Sequence, residues 1–159
     1  MGHVSKIGYI YYRKSIGVLN KMLNIFFAYS SKDIEFVEEI ISIINLPSTQ
    51  YNLIYFHKYN SNILSMDQII EKIPAMDVFI LLLSVNSLES RYVKLEYSKA
   101  LKSERIKEIC RIAINDIDMK QVYDVLDCNS DNIFVAKTCY SAAEIIKDRI
   151  ASINHIIEM

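Results

Sequence analysis

Five short apolar runs, rich in β-branched or aromatic residues, recur along the chain at Leu23–Tyr29, Asn52–Phe56, Val78–Leu83, Ile109–Ile114 and Asn132–Ala136. Runs of this length that stay apolar, instead of alternating with polar residues, are strands buried on both faces. Segments of helical periodicity lie between them, and that alternation is the pattern of a parallel sheet covered by helices on either side.

The first helical segment carries Ile34, Val37, Ile40, Ile41 and Ile44 after Ser30-Ser31-Lys32-Asp33, a start that caps a helix beside Ser31 and favours its positive end. Ile63, Met66, Ile69, Ile70 and Ile73 form a second stripe, which Pro74 closes. A third helix opens at Ser90 and is expected to bury Val93, Tyr97, Ala100 and Leu101. In the last, Ser141 and Glu144 have capping-box spacing ahead of Ile145, Ile146, Ile150, Ile153 and Ile157. The expected fold is α/β and flavodoxin-like: three layers, with a central five-stranded parallel sheet in the order 2-1-3-4-5 and helices on both faces.

At 159 residues the chain has the size of one domain. Residues 1–21 depart from the pattern: they mix Tyr9, Tyr11 and Tyr12 with Lys6, Arg13 and Lys14 and hold all three glycines. They read as an N-terminal extension outside the fold, with Met22 as an alternative start and residues 22–159 as the domain. Arg13-Lys14 interrupts the apolar run that a signal peptide needs. The 18 basic and 19 acidic residues nearly balance and are spread along the chain, which argues against nucleic acid as a partner. Val78–Leu83 is the longest apolar stretch, far too short for a membrane span. Cys110, Cys128 and Cys139 lack paired spacing and read as reduced thiols of a cytoplasmic protein. His3, His57 and His155 share no helical face, so no metal is expected.

In a sheet wound 2-1-3-4-5, ligands bind beyond the carboxyl ends of strands one and three, where the winding reverses. The loops at that point are Tyr29-Ser30-Ser31-Lys32-Asp33 and the segment from Ser84 through Asn86, Ser87 and Ser90. A response-regulator receiver would need an acceptor Asp where Ser84 stands. A flavodoxin phosphate loop, a P-loop and a dinucleotide turn all need glycine, and none follows Gly17.

Glu96 lies about 60° round the helix from Val93, on the shoulder of the apolar stripe. A carboxylate there either performs chemistry, because partly buried unpaired charges are costly and concentrate at active sites, or rests in solvent beside Lys94 or Lys99.

Three blocks in order resemble a Toll/interleukin-1 receptor (TIR) domain of the prokaryotic, NAD-cleaving type. They are Ile25-Phe26-Phe27-Ala28-Tyr29-Ser30-Ser31-Lys32-Asp33, Met76-Asp77-Val78-Phe79-Ile80-Leu81-Leu82-Leu83-Ser84, and Ser90-Arg91-Tyr92-Val93-Lys94-Leu95-Glu96 continuing to Ala100-Leu101. The third is similar to the family's Ser-x-Trp-x-x-x-Glu pattern with Tyr92 in place of Trp, and the resemblance covers Leu23 to Met159. It departs at His57–Leu64, which lacks the Pro-Gly and acidic residue common in that loop.

The resemblance implies a NAD+ glycohydrolase or cyclase that splits the nicotinamide–ribose bond, with Glu96 catalytic and NAD a substrate instead of a bound cofactor. Products would be nicotinamide with ADP-ribose or a cyclic isomer. Tyr29, Ser30, Ser31, Lys32, Ser84 and Tyr92 would line the nucleotide site, and Tyr59 would stack the nicotinamide; a helix cap with a solvated lysine, and a solvent-facing tyrosine, are the plainer alternatives. It also implies self-association on activation, a separate sensor or effector protein, and a place in antiphage immune signalling. The rivals are a non-catalytic TIR interaction module and an N-glycosidase acting on another nucleotide.

Overall fold

Val78–Leu83 is the one strand in which all six residues are buried, so it has to lie inside the sheet with cover on both sides. The computed structural model, which describes residues 22–55, 65–126 and 132–158, places it there. Five parallel strands run in the order β2-β1-β3-β4-β5: β1 (Leu23–Ala28), β2 (Tyr51–Tyr55), β3 (Val78–Leu83), β4 (Glu108–Ile114) and β5 (Ile133–Ala136). Six α-helices connect and follow them: α1 (Ile34–Ile44), α2 (Met66–Ile70), α3 (Val85–Glu89), α4 (Arg91–Lys102), α5 (Met119–Leu126) and α6 (Cys139–Glu158). This is the expected flavodoxin-like α/β arrangement. Residues 1–21, the loop His57–Leu64 with Tyr59, and Cys128 lie outside the described residues.

The alternation of side chains along each strand divides the core in two. Ile25, Phe27, Val78, Ile80, Cys110 and Ile112 face α1 and α6, meeting Val37, Ile40, Ile146 and Ile150. Phe26, Phe79, Leu81 and Ala113 face the other way, toward Ile69 of α2, Leu88 of α3, Val93, Tyr97 and Ala100 of α4, and Val122 of α5. Register pairs Phe26 with Phe79, and their rings stack with centroids 5.7 Å apart. At the other end of these strands Asp77 joins β1 to β3: its backbone N–H donates to Asn24 O at 2.8 Å, and its Oδ2 accepts from Asn24 N at 2.9 Å.

Several boundaries differ from expectation, each for a local reason. The stripe that ends at Pro74 is two pieces: α2, with a capping box between Ser65 and Gln68, and a 3-10 turn at Ile73–Ala75; Ile63 lies outside the described residues. The last helix starts at Cys139, not Ser141, because Thr138 Oγ1 accepts from Ser141 N and takes the capping role. The segment after Ser84 is helical, capped reciprocally by Ser84 and Ser87. Leu101 is 53% exposed instead of buried, because the stripe of α4 runs through Val93, Glu96, Tyr97 and Ala100.

Removing the ring at Phe79, which is fully buried, should cost about 3–5 kcal/mol in a Phe79→Ala variant through lost transfer energy and the cavity left behind. Val135→Ala, on the edge strand β5 and 63% exposed, should change stability by no more than about 0.5 kcal/mol. Urea denaturation of the two variants measures both.

Candidate functional site

The chain leaves β1 through Tyr29 and Ser30 and turns at Ser31–Asp33 into α1. Ser30 is buried, and its Oγ accepts from Lys32 N at 3.3 Å, so it spends its side chain on the turn. Asp33 joins this loop to the one after β3: its Oδ2 accepts from Ser84 Oγ at 2.5 Å and its Oδ1 from Asn86 Nδ2 at 2.9 Å. Ser84 Oγ also accepts from Ser87 N at 3.0 Å. The two loops at the winding reversal therefore meet, and a carboxylate that the sequence marks only as a helix-start residue fastens them.

Ser90 ends α3 and begins α4, where its Oγ accepts from Val93 N at 3.3 Å. The buried positions of α4, spaced three and four apart, are those of an ordinary core-facing helix, and Glu96 occupies one of them. Next to it Tyr97 is fixed from β4, since Arg111 Nε donates to its hydroxyl at 2.9 Å.

Only 4% of Glu96 is exposed, and among the described residues its carboxyl has no hydrogen-bond or ion-pair partner. Burial pushes it from the usual 4.5 up to about 8, because desolvation penalises the charged form. The expected solvent-facing alternative beside Lys94 or Lys99 does not hold for the geometry: both lysines are exposed and Glu96 is not.

Glu96 forms part of the wall of a cleft of about 220 Å³ at the carboxyl end of β1. Of the residues expected at the site, Tyr29, Ser31 and Tyr92 line the cleft with it. Ser30, Lys32 and Ser84 are not among the lining residues: Ser30 and Ser84 are buried in caps and Lys32 is exposed. Tyr59 lies outside the described residues. Phe27, Met66 and Ser90 complete the described lining. Phe27 was legible as the residue two before Tyr29 on the same side of β1, and their rings meet edge to face at 5.9 Å. Met66 was not, because it reaches the cleft from α2, which packs beside α4 on the same face of the sheet but lies 30 residues before Glu96 in the chain.

The described lining holds three aromatic rings, two hydroxyl-bearing serines, a thioether and one acid, with no lysine or arginine. Such a wall suits a ring and an adjoining sugar, and it favours a cation, which an aromatic face and a carboxyl both attract. No group of three or more His, Cys, Asp or Glu able to hold a metal ion occurs among the described residues. No helix among them is long and apolar enough to cross a membrane. No family model matches the chain, and no curated protein matches its sequence.

Folded protein holds the Glu96 proton up to about pH 8, whereas the unfolded chain releases it near 4.5. Between those values the native state carries the extra proton, so its stability falls as pH rises through the window and levels off above it, by roughly 5 kcal/mol for this one group. Urea denaturation between about pH 5 and pH 8 should show that slope in the wild type and a much flatter one in Glu96→Gln.

Proposed function

We propose that the chain is a TIR-type enzyme that cleaves the bond between nicotinamide and ribose in NAD+. The observation that carries this reading is Glu96: an acid at a core position of α4, unpaired among the described residues, facing a cleft at the point where the sheet reverses its winding. A structural glutamate would gain by lying in water or beside a base, and this one does neither.

The nicotinamide ring of NAD+ is cationic, so the bond breaks with its electron pair moving to the ring nitrogen, and neutral nicotinamide departs without an acid to protonate it. Positive charge then develops on the ribosyl carbon and ring oxygen. An ionised Glu96 stabilises that charge, and at its buried position the interaction is stronger than in solvent. The empty cleft favours the protonated carboxyl, but a cation seated against it favours the ionised form, so arrival of the substrate readies the group. Phe27, Tyr29 and Tyr92 offer faces to the ring, and Ser31 and Ser90 offer hydroxyls to the sugar. Water attacking the sugar gives ADP-ribose and a proton; attack by a hydroxyl or the adenine of the same nucleotide gives a cyclic isomer and a proton. Signalling in antiphage immunity, with self-association on activation and a separate sensor or effector, is the setting we propose for that product.

Concentrated purified protein should release nicotinamide from NAD+, and Glu96→Gln should lower the rate by about 10²–10³-fold, the usual cost of losing one transition-state electrostatic partner. The wild-type kcat/KM should rise with pH toward a plateau above about 8, the value at which free Glu96 ionises, while kcat levels off at lower pH because the bound cation assists ionisation. Chromatography of the second product distinguishes the linear from the cyclic outcome. Absence of nicotinamide release from either protein would instead favour the interaction module, which the atypical loop His57–Leu64 already suits.

A further inference from the structure

Asp33 enters α1 from the turn Ser31–Asp33, a place where an aspartate ordinarily turns its carboxylate onto the free N–H groups of its own helix. This one makes no side-chain cap bond, and Ser30 Oγ already caps the turn by accepting from Lys32 N. The Asp33 carboxylate reaches instead 51 and 53 residues along the chain, where Oδ2 accepts from Ser84 Oγ at 2.5 Å and Oδ1 from Asn86 Nδ2 at 2.9 Å. With both oxygens engaged its rotation is fixed, and a hydroxyl donating to a carboxylate at this length is among the stronger hydrogen bonds a protein makes. The pairing of β1 with β3 ends at Ala28 and Leu81, so these bonds extend the joint between the two strands beyond the sheet.

The two segments that Asp33 joins carry different parts of the wall of the Glu96 cleft. Ser31 lies two residues before it in the same turn, and Tyr29 two before Ser31. On the other side, Ser84 N donates to Ser87 Oγ at 2.7 Å, Ser87 N to Ser84 Oγ at 3.0 Å and Ser87 Oγ to Ser84 O at 3.0 Å. These bonds brace α3, a single short helix that ends at Ser90, where α4 begins and carries Tyr92 and Glu96 into the cleft. We propose that Asp33 is a positioning residue for the reaction at Glu96: bonded to Ser84 and Asn86, it fixes the distance between Ser31 and the wall that holds Ser90 and Glu96, and with it the place of the sugar against the acid. The role in the reaction rests on the NAD+ cleavage proposed above, although the spacing itself does not. Asp33 is not among the described residues lining the cleft, so it acts through Ser31 and Ser90. A displacement of about 1 Å at the reacting atoms can lower a rate by about 10²-fold, so a joint at this point bears on kcat.

The test compares the full wild-type chain with Asp33→Ala, with Asn86→Asp, and with the swap that combines Asp33→Asn and Asn86→Asp, each shown by urea denaturation to be folded. Asp33→Ala removes both acceptors, and Asn86→Asp sets one carboxyl against another. The swap restores a donor facing an acceptor, now from position 33 to position 86, and leaves the oxygen of the new amide for Ser84 Oγ. Each single variant should lower kcat for nicotinamide release by about 10–10²-fold with KM changed far less, and the swap should recover most of that loss. Without substrate, hydrogen exchange in peptides covering Ser31–Asp33 and residues 84–90 should quicken by about tenfold in both single variants and slow again in the swap. Unchanged kcat in both single variants, or a kcat that the swap does not recover, would overturn the positioning role, and unchanged hydrogen exchange would overturn the joint itself. A wild type that releases no nicotinamide would overturn the NAD+ reading and the role in that reaction with it, whereas hydrogen exchange would still decide whether Asp33 spaces the walls.

Discussion

Strand β3 is the constraint on which the remaining architecture rests. Six consecutive apolar residues pointing alternately to two faces cannot be satisfied by one layer of helix, so both faces of the sheet must be covered. Parallel neighbours then need crossover connections, and the right-handed rule for those crossovers sends α1 to one face and the helices after β2 and β3 to the other. The winding has to reverse between β1 and β3, and a crevice at their carboxyl ends is the geometric result. Asp33, bonded to Ser84 and Asn86, holds the two sides of that crevice at a defined separation.

Into this frame the chain introduces one local conflict. Val93, Glu96, Tyr97 and Ala100 make a regular buried stripe, and three of the four are what such a stripe calls for. A leucine at position 96 would bury apolar surface without any desolvation penalty, whereas the acid raises its own proton affinity and weakens the fold at neutral pH. Natural sequences are locally consistent with their folds except where function demands otherwise. The surrounding structure absorbs the conflict: Arg111 anchors Tyr97, and Val93 and Ala100 keep α4 seated on the sheet. The other buried carboxylate, Asp77, has a different character, because backbone hydrogen bonds join it to Asn24 and Arg105 approaches its Oδ1 at 3.7 Å. Comparing the two separates an acid that fastens the fold from one that the fold tolerates.

The sequence by itself determined the class of the fold, the five strands and their order, and the crevice at which to look, because strand hydrophobicity and the handedness of crossovers leave few alternatives. The winding rule also pointed to Tyr29 and Ser31 at that crevice, whereas Glu96 was singled out by its place on the shoulder of a helix stripe and, with Tyr92, by the resemblance of its block; all four line the cleft. Only the tertiary structure decided what local pattern could not. Position 96 turned out to be core and Leu101 surface, because the rotation of α4 is set by packing of Tyr97 and Val93 against the sheet and not by its own hydrophobicity. Ser84 and Ser30 became caps and bridges instead of cleft residues, because backbone donors and Asp33 compete for their hydroxyls at close range. Met66 joined the cleft from a distant part of the chain. Helical and strand periods are written in neighbouring residues, whereas a helix's rotation and a hydroxyl's partner depend on atoms that only the folded chain brings together.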